Sequence, residues 1–234
     1  MSDAANSTLL SKDIAKLWLA VLTIVSTISF AVVVTNINTL SESSVGGLTD
    51  SYNYVHQFYG EQTEGHWRYR IITIELAKLV PHQVESLLQR DVTPYRRAQI
   101  RFATVNLVSL ILSGCLFFTY GRDLLKNVWL AILGSVIFLT SRTNMLEAGA
   151  PMVDPGAFFF LLLGTWAILR VRPLWLFSAM LIGVFAKETT LLLWPLLWLA
   201  DHLITRQKML FSILLVPGTV VDEVVAKIRT CQEQ

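Results

Sequence analysis

The sequence predicts an all-α fold, a polytopic transmembrane helical bundle, and three observations predict it. Charged side chains make up 15% of the 234 residues and hydrophobic ones 53%, where a soluble domain carries about 25% charge. Mean hydropathy is +0.54. Several apolar runs approach the ~20 residues that a helix needs to cross the hydrocarbon core of a bilayer. The net charge of +2 is not gathered into a long basic tract, so nothing points to a nucleic-acid partner. Cys115 and Cys231 form neither a disulfide framework nor a metal-ligand spacing.

The runs place spans at about 16–36, 99–119, 124–141, 153–170, 172–186, 189–204 and 208–222, about seven in all, with Pro217-Gly218 interrupting the last. Residues 1–15 precede them as a short N-terminal segment, 16–222 form the membrane module, and 223–234 read as a tail. The first run, LWLAVLTIVSTISFAVVVT, is longer than the roughly 7–15-residue core of a signal peptide. No small-x-small cleavage site follows it, so it reads as an uncleaved span.

Lysine and arginine near span ends orient the chain. With the N-terminus in the cytoplasm, the inner connections carry Lys12 and Lys16, Arg122 and Lys126, Arg170 and Arg172, then Arg206 and Lys208. The loop 37–98, the loop 142–152 and the Lys187-Glu188 turn then share the extracytoplasmic side. The outer loop is not rich in sequons and the chain lacks disulfide candidates, which suits a bacterial inner membrane. Within the loop 37–98, HWRYRIITIELAKLV (66–80) sets Ile72, Leu76, Leu79 and Val80 at near-helical spacing. The following PHQVESLLQR opens on Pro81 and puts Val84, Leu87 and Leu88 on one side. Two amphipathic juxtamembrane helices lying in the interface fit this pattern, with a small packed outer cap as the other reading.

From Pro173 to Ala200 only Lys187 and Glu188 carry formal charge. The spans on either side cover only roughly 24 Å each, against a hydrocarbon core of about 30 Å. The turn between them is therefore expected below the membrane surface, where charged side chains mark function by default. The plainer reading is a snorkelling Lys187 neutralised by Glu188. Three further carboxylates fall on the same side. Asp50 lies in GGLTDSYNYVHQFYG, which also supplies Tyr54 and His56 as substrate-binding candidates. Glu147 and Asp154 lie in EAGAPMVDPGAFFF, where Asp154 before Pro155-Gly156 equally fits a helix N-cap. Arg68 and Arg70 alternate with Trp67 and Tyr69. Guanidinium forks suit phosphate oxygens bidentately, and the same stretch suits plain anchoring on anionic headgroups.

This order of features resembles the GT-C superfamily of polytopic glycosyltransferases, in the style of protein mannosyltransferases and aminoarabinose transferases. The resemblance covers roughly residues 14–205 and rests on TDSYNYV, WRYRIITIELAKLVP and GVFAKET. It implies transfer of a sugar from a polyprenyl-phosphate donor to a glycan, lipid or protein acceptor on the extracytoplasmic side, with inversion at the sugar carbon. Asp50 then matches the family's first-loop aspartate, the candidate base. Asp154, or else Glu147, matches the acidic residue of the second outer loop. Lys187 matches the basic residue of the later outer turn, with Glu188 beside it, and Arg68 and Arg70 match loosely. The carboxylates admit a divalent cation, although no ligand spacing demands one. Members of the family carry more spans and often a soluble outer domain, so the chain corresponds to the membrane module or to a truncated member. Two other function classes use the same charges: a lipid-carrier flippase or transporter, and a non-catalytic scaffold or inactive relative.

Overall fold

A computed structural model describes residues 2–39, 49–61, 63, 70–84, 93–170 and 172–193. The chain runs through α1 (Ser2–Thr39), α2 (Thr49–Phe58), α3 (Ile71–Leu79), α4 (Pro94–Leu125), α5 (Val128–Leu139), α6 (Arg142–Glu147), α7 (Asp154–Leu169) and α8 (Pro173–Ala186), then a 3₁₀ turn at Glu188–Leu192. Among the described residues there is no strand, so the expected all-α class is what is found.

Local chemistry sets the helix ends. Pro94 opens α4 at a position whose N–H has no helical partner, and the Thr93 hydroxyl accepts from the Arg96 N–H at 3.2 Å. The helix stops at Lys126, left-handed at φ 53°, whose N–H donates to the Arg122 carbonyl. Asn127 then caps α5 by accepting from the N–H groups of Trp129 and Leu130 at 2.9 and 3.2 Å. Proline also sits in the first turns of α7 and α8. Helix α8 ends where Lys187 becomes extended, at φ −162° and ψ 137°.

Two helical stretches are long and apolar enough to cross a membrane, Asp13–Asn38 within α1 and all of α4. Only 28% of the most apolar window in the first is buried, and 39% in the second. A soluble core helix would bury its apolar positions, whereas here Leu19 and Phe30 face outward. Helices α5, α7 and α8 are apolar but shorter, at 12, 16 and 14 residues. Of the seven expected spans, five thus coincide with apolar helices, and two of these reach full crossing length. The sixth, 189–204, begins as the 3₁₀ turn, and its remainder, the seventh span and the 223–234 tail lie outside the described residues. Residues 2–15, read as a separate N-terminal segment, are continuous with α1.

The core has three parts. Val21, Val25, Leu110, Phe118 and Leu139 join α1, α4 and α5. Ala167, Leu176, Ala179 and Leu193 join α7, α8 and the following turn. Tyr54, Phe58, Ile74, Phe102 and Val153 join α2 and α3 to the N-terminal end of α4. Full burial of such a Phe or Ile against water is worth roughly 1.5–3 kcal/mol. On α3 the buried face is Thr73, Ile74 and Ala77, while Leu76 and Leu79 stand outward. Of the four residues that the sequence marks as one apolar face, Leu76 and Leu79 are exposed while Val80 packs against the core. The second helix expected, from PHQVESLLQR, is described only as far as residue 84.

The second connecting loop is clamped to α4. Asn106 Nδ2 donates to the carbonyls of Glu147, Ala148 and Ala150 at 3.5, 3.4 and 3.3 Å, and Gln99 Nε2 donates to that of Gly149 at 2.8 Å. Gly149 lies against α1, where an added Cβ would stand 2.4 Å from Asn36 Cβ and 2.8 Å from the Ile37 N. Since backbone must yield, Gly149→Ala is expected to cost about 1–3 kcal/mol. In detergent it should melt several degrees below wild type, and an unchanged melting temperature would mean that this loop does not rest on α1.

Candidate functional site

The clamped loop, the start of α7, the end of α8 and helices α2 and α3 meet at one end of the bundle. Arg70 immediately precedes α3 and is 4% exposed. Its Nε donates to Glu188 Oε2 at 2.9 Å and its Nη2 to Glu188 Oε1, a two-pronged pair across 118 positions of sequence. Its Nη1 donates to the Tyr54 hydroxyl at 2.6 Å and lies 4.0 Å from Asp50 Oδ2. Tyr54 and Asp50 share a face of α2 at a spacing of four. Tyr54 is fully buried, and that burial pushes its phenol well above the ordinary tyrosine range, so it remains a neutral group.

The second pair is Lys187 with Asp154, Nζ to Oδ1, between the end of α8 and the first turn of α7. The extended backbone at Lys187 explains why it does not pair with its neighbour Glu188. In extended chain, successive side chains point to opposite sides, so Lys187 reaches Asp154 while Glu188 reaches Arg70. Thr190 holds the bend by donating its N–H and its hydroxyl to the Lys187 carbonyl at 3.1 and 2.9 Å.

Glu147 closes α6 close to the Lys187–Asp154 pair. Burial pushes its carboxyl up to about 7, the Asp154 charge adds to the rise, and Lys187 opposes it. Its Oε2 is buried and makes no hydrogen bond.

Of the residues expected at the site, Asp50, Tyr54, Arg70 and Glu188 form one contact network, and Lys187 and Asp154 form an ion pair on which Glu147 acts electrostatically. His56 instead pairs with Glu61 and lies tilted against the Tyr52 ring. Arg68 lies outside the described residues. Asp50, expected in irregular loop, occupies the first turn of α2, where a carboxylate suits the helix dipole. Asn106 and Gln99, which hold the Glu147 loop, went unread in the sequence, and the signal for them was amide side chains inside an otherwise apolar run. Among the described residues no group of three or more His, Cys, Asp or Glu side chains is placed to hold a metal ion.

One recess adjoins this geometry and another lies away from it. One of about 270 Å³ lies between α2 and α3, with Gln57, Glu61, Thr63 and Glu75 on its wall. Another of about 160 Å³ lies at the opposite end of the bundle beside Tyr120, Trp166 and the Asp123–Arg170 ion pair. Comparison with protein-family models, with curated proteins and with solved structures returned no match.

Proposed function

We propose that the chain is a polytopic membrane protein of the glycosyltransferase type, acting on a polyprenyl-phosphate-linked sugar at the extracytoplasmic face. The observation that carries this reading is the convergence of Asp50, Arg70, Glu188, Lys187 and Asp154, from four separate stretches of sequence, at one end of a bundle of apolar helices. Charges are costly at membrane depth. A pair of cations there, each bridged by a carboxylate that a phosphate can replace, matches what a lipid-phosphate leaving group needs. Arg70 and Lys187 offset the charge that develops on the departing phosphate, the electrostatic role that usually dominates such steps. The acceptor hydroxyl attacks the sugar carbon, the carbon–oxygen bond to phosphate breaks, and a carboxylate removes the hydroxyl proton.

Purified protein given a polyprenyl-phospho-sugar is expected to show transfer or donor hydrolysis. Arg70→Gln and Lys187→Gln should each lower it by about 100-fold or more. Wild-type protein that turns over no donor contradicts the reading. If flux of the lipid across vesicles accompanies that failure, a translocator replaces it.

One observation favours a second reading. Both cations already have carboxylate partners, as in a non-catalytic clamp that fastens the outer segments to the bundle. A clamp predicts that Arg70 and Lys187 variants lose stability and that no variant changes chemistry.

A further inference from the structure

We propose that Glu147, rather than Asp50 or Asp154, is the proton-exchanging carboxyl of this site. The inference deepens the glycosyl-transfer reading and rests on it for one part only, the identity of the proton's source. Four carboxylates gather at this end of the bundle, and three of them face cations directly. Glu188 takes both prongs of Arg70, Asp50 stands 4.0 Å from the same guanidinium, and Asp154 holds Lys187. A carboxylate against a cation has its charge compensated and serves as a counter-ion. Glu147 has a buried oxygen with no hydrogen-bond partner at all.

A buried carboxyl oxygen left without a partner is costly unless the group is neutral or is waiting for a ligand. The surroundings of Glu147 raise its carboxyl to about 7, so its neutral and ionised forms coexist near neutral pH. The charged groups acting on it are Asp154, at the start of α7, and Lys187, at the end of α8, and their effects oppose one another. Helices α1 and α4 bring the uncharged amides Asn36, Gln99 and Asn106 to the same loop. Arg96 on α4 donates to the Ile37 carbonyl and to Gln99. Arg142 on the same short helix is exposed. Asn106 holds the Glu147 backbone carbonyl and Gln99 that of Gly149, which fixes the loop.

In the proposed transfer, the acceptor oxygen forms its bond to the sugar carbon as the bond from that carbon to the phosphate oxygen breaks. The bonding pair leaves with the phosphate, between Lys187 and Arg70. The hydroxyl proton passes to the Glu147 carboxylate, which returns it to water once product departs. Every atom and charge is accounted for without a further reactant. Asp50 then acts as a positioning residue that steadies Arg70.

Infrared titration of the full chain in lipid nanodiscs tests the first part. A protonated-carboxyl band should disappear with a midpoint near 7 in wild type and in Asp50→Asn, and should be missing from Glu147→Gln. A band that persists in Glu147→Gln overturns the proposal. Donor turnover tests the second part. Glu147→Gln should lower kcat by about 100-fold or more with little change in KM, and should lose the limb of the pH profile near 7, while Glu147→Asp restores part of the rate. Asp50→Asn should keep that limb. The reverse pattern, with the limb lost in Asp50→Asn and kept in Glu147→Gln, would overturn the assignment. If wild type shows the infrared titration but no turnover, glycosyl transfer falls and Glu147 stands as the group that exchanges the proton.

Discussion

Replacement of Arg70 by methionine is expected to destabilise the protein by about 1–3 kcal/mol, chiefly the cost of leaving the buried Tyr54 hydroxyl without its donor, since the Glu188 and Asp50 carboxylates are partly solvated. Arg70 is the hinge of the outer network. Removing it leaves Glu188 and Asp50 facing each other without a cation between them, and leaves the buried Tyr54 hydroxyl without its donor. Methionine keeps the apolar stem, so a loss of this size reports the charge and its hydrogen bonds rather than lost volume. Arg70→Lys should recover only part of the loss, because an ammonium cannot match the two-pronged geometry that Glu188 accepts. Thermal or denaturant unfolding in detergent, compared across the three proteins, reads this directly. If Arg70→Met melts with wild type, the network does not hold the fold together.

Replacement of Lys187 by methionine is the second large effect, on the order of 3 kcal/mol. Asp154 is 8% exposed, so losing Lys187 leaves a nearly buried carboxylate without its cation. Asp154→Leu alone should be similarly costly, since it strands the lysine. Together the two changes should be much less harmful than their sum, because an apolar pair replaces an ion pair and no uncompensated charge is left. The double variant separates structure from chemistry. It is expected to be folded, near wild-type stability, and without donor turnover. A double variant with full turnover would show that Lys187 and Asp154 serve packing alone.

Much of this was legible in the sequence for a topological reason. Assigning the connections to sides through lysine and arginine put Asp50, Arg70, Asp154 and Lys187 in one expected group, and the structure brings these four to one end of the bundle. What the sequence hid was who pairs with whom. Adjacent Lys187 and Glu188 read as a self-neutralising pair, and only the extended backbone between α8 and the 3₁₀ turn sends them to different partners. Helix α2 was missed because TDSYNYVHQF carries polar and aromatic residues with few aliphatics, and its packing comes from Tyr54, Val55 and Phe58 against α4. His56 reads as a site residue by proximity in sequence, yet helical geometry turns it toward Glu61. The importance of Glu147 lay in an environment assembled by Asn106, Asp154 and Lys187, which no short motif encodes.

The account depends on two unlike charge pairs opening to the extracytoplasmic side of the membrane. The most direct measurement is labelling of Glu188→Cys with a membrane-impermeant maleimide in sealed, right-side-out vesicles, with Cys115 and Cys231 replaced by serine. Half the Glu188 side chain is exposed, so label should enter from outside without permeabilisation, and a bound polyprenyl-phospho-sugar should slow it. Label that enters only after the vesicles are opened would place the pairs on the cytoplasmic side and contradict the account.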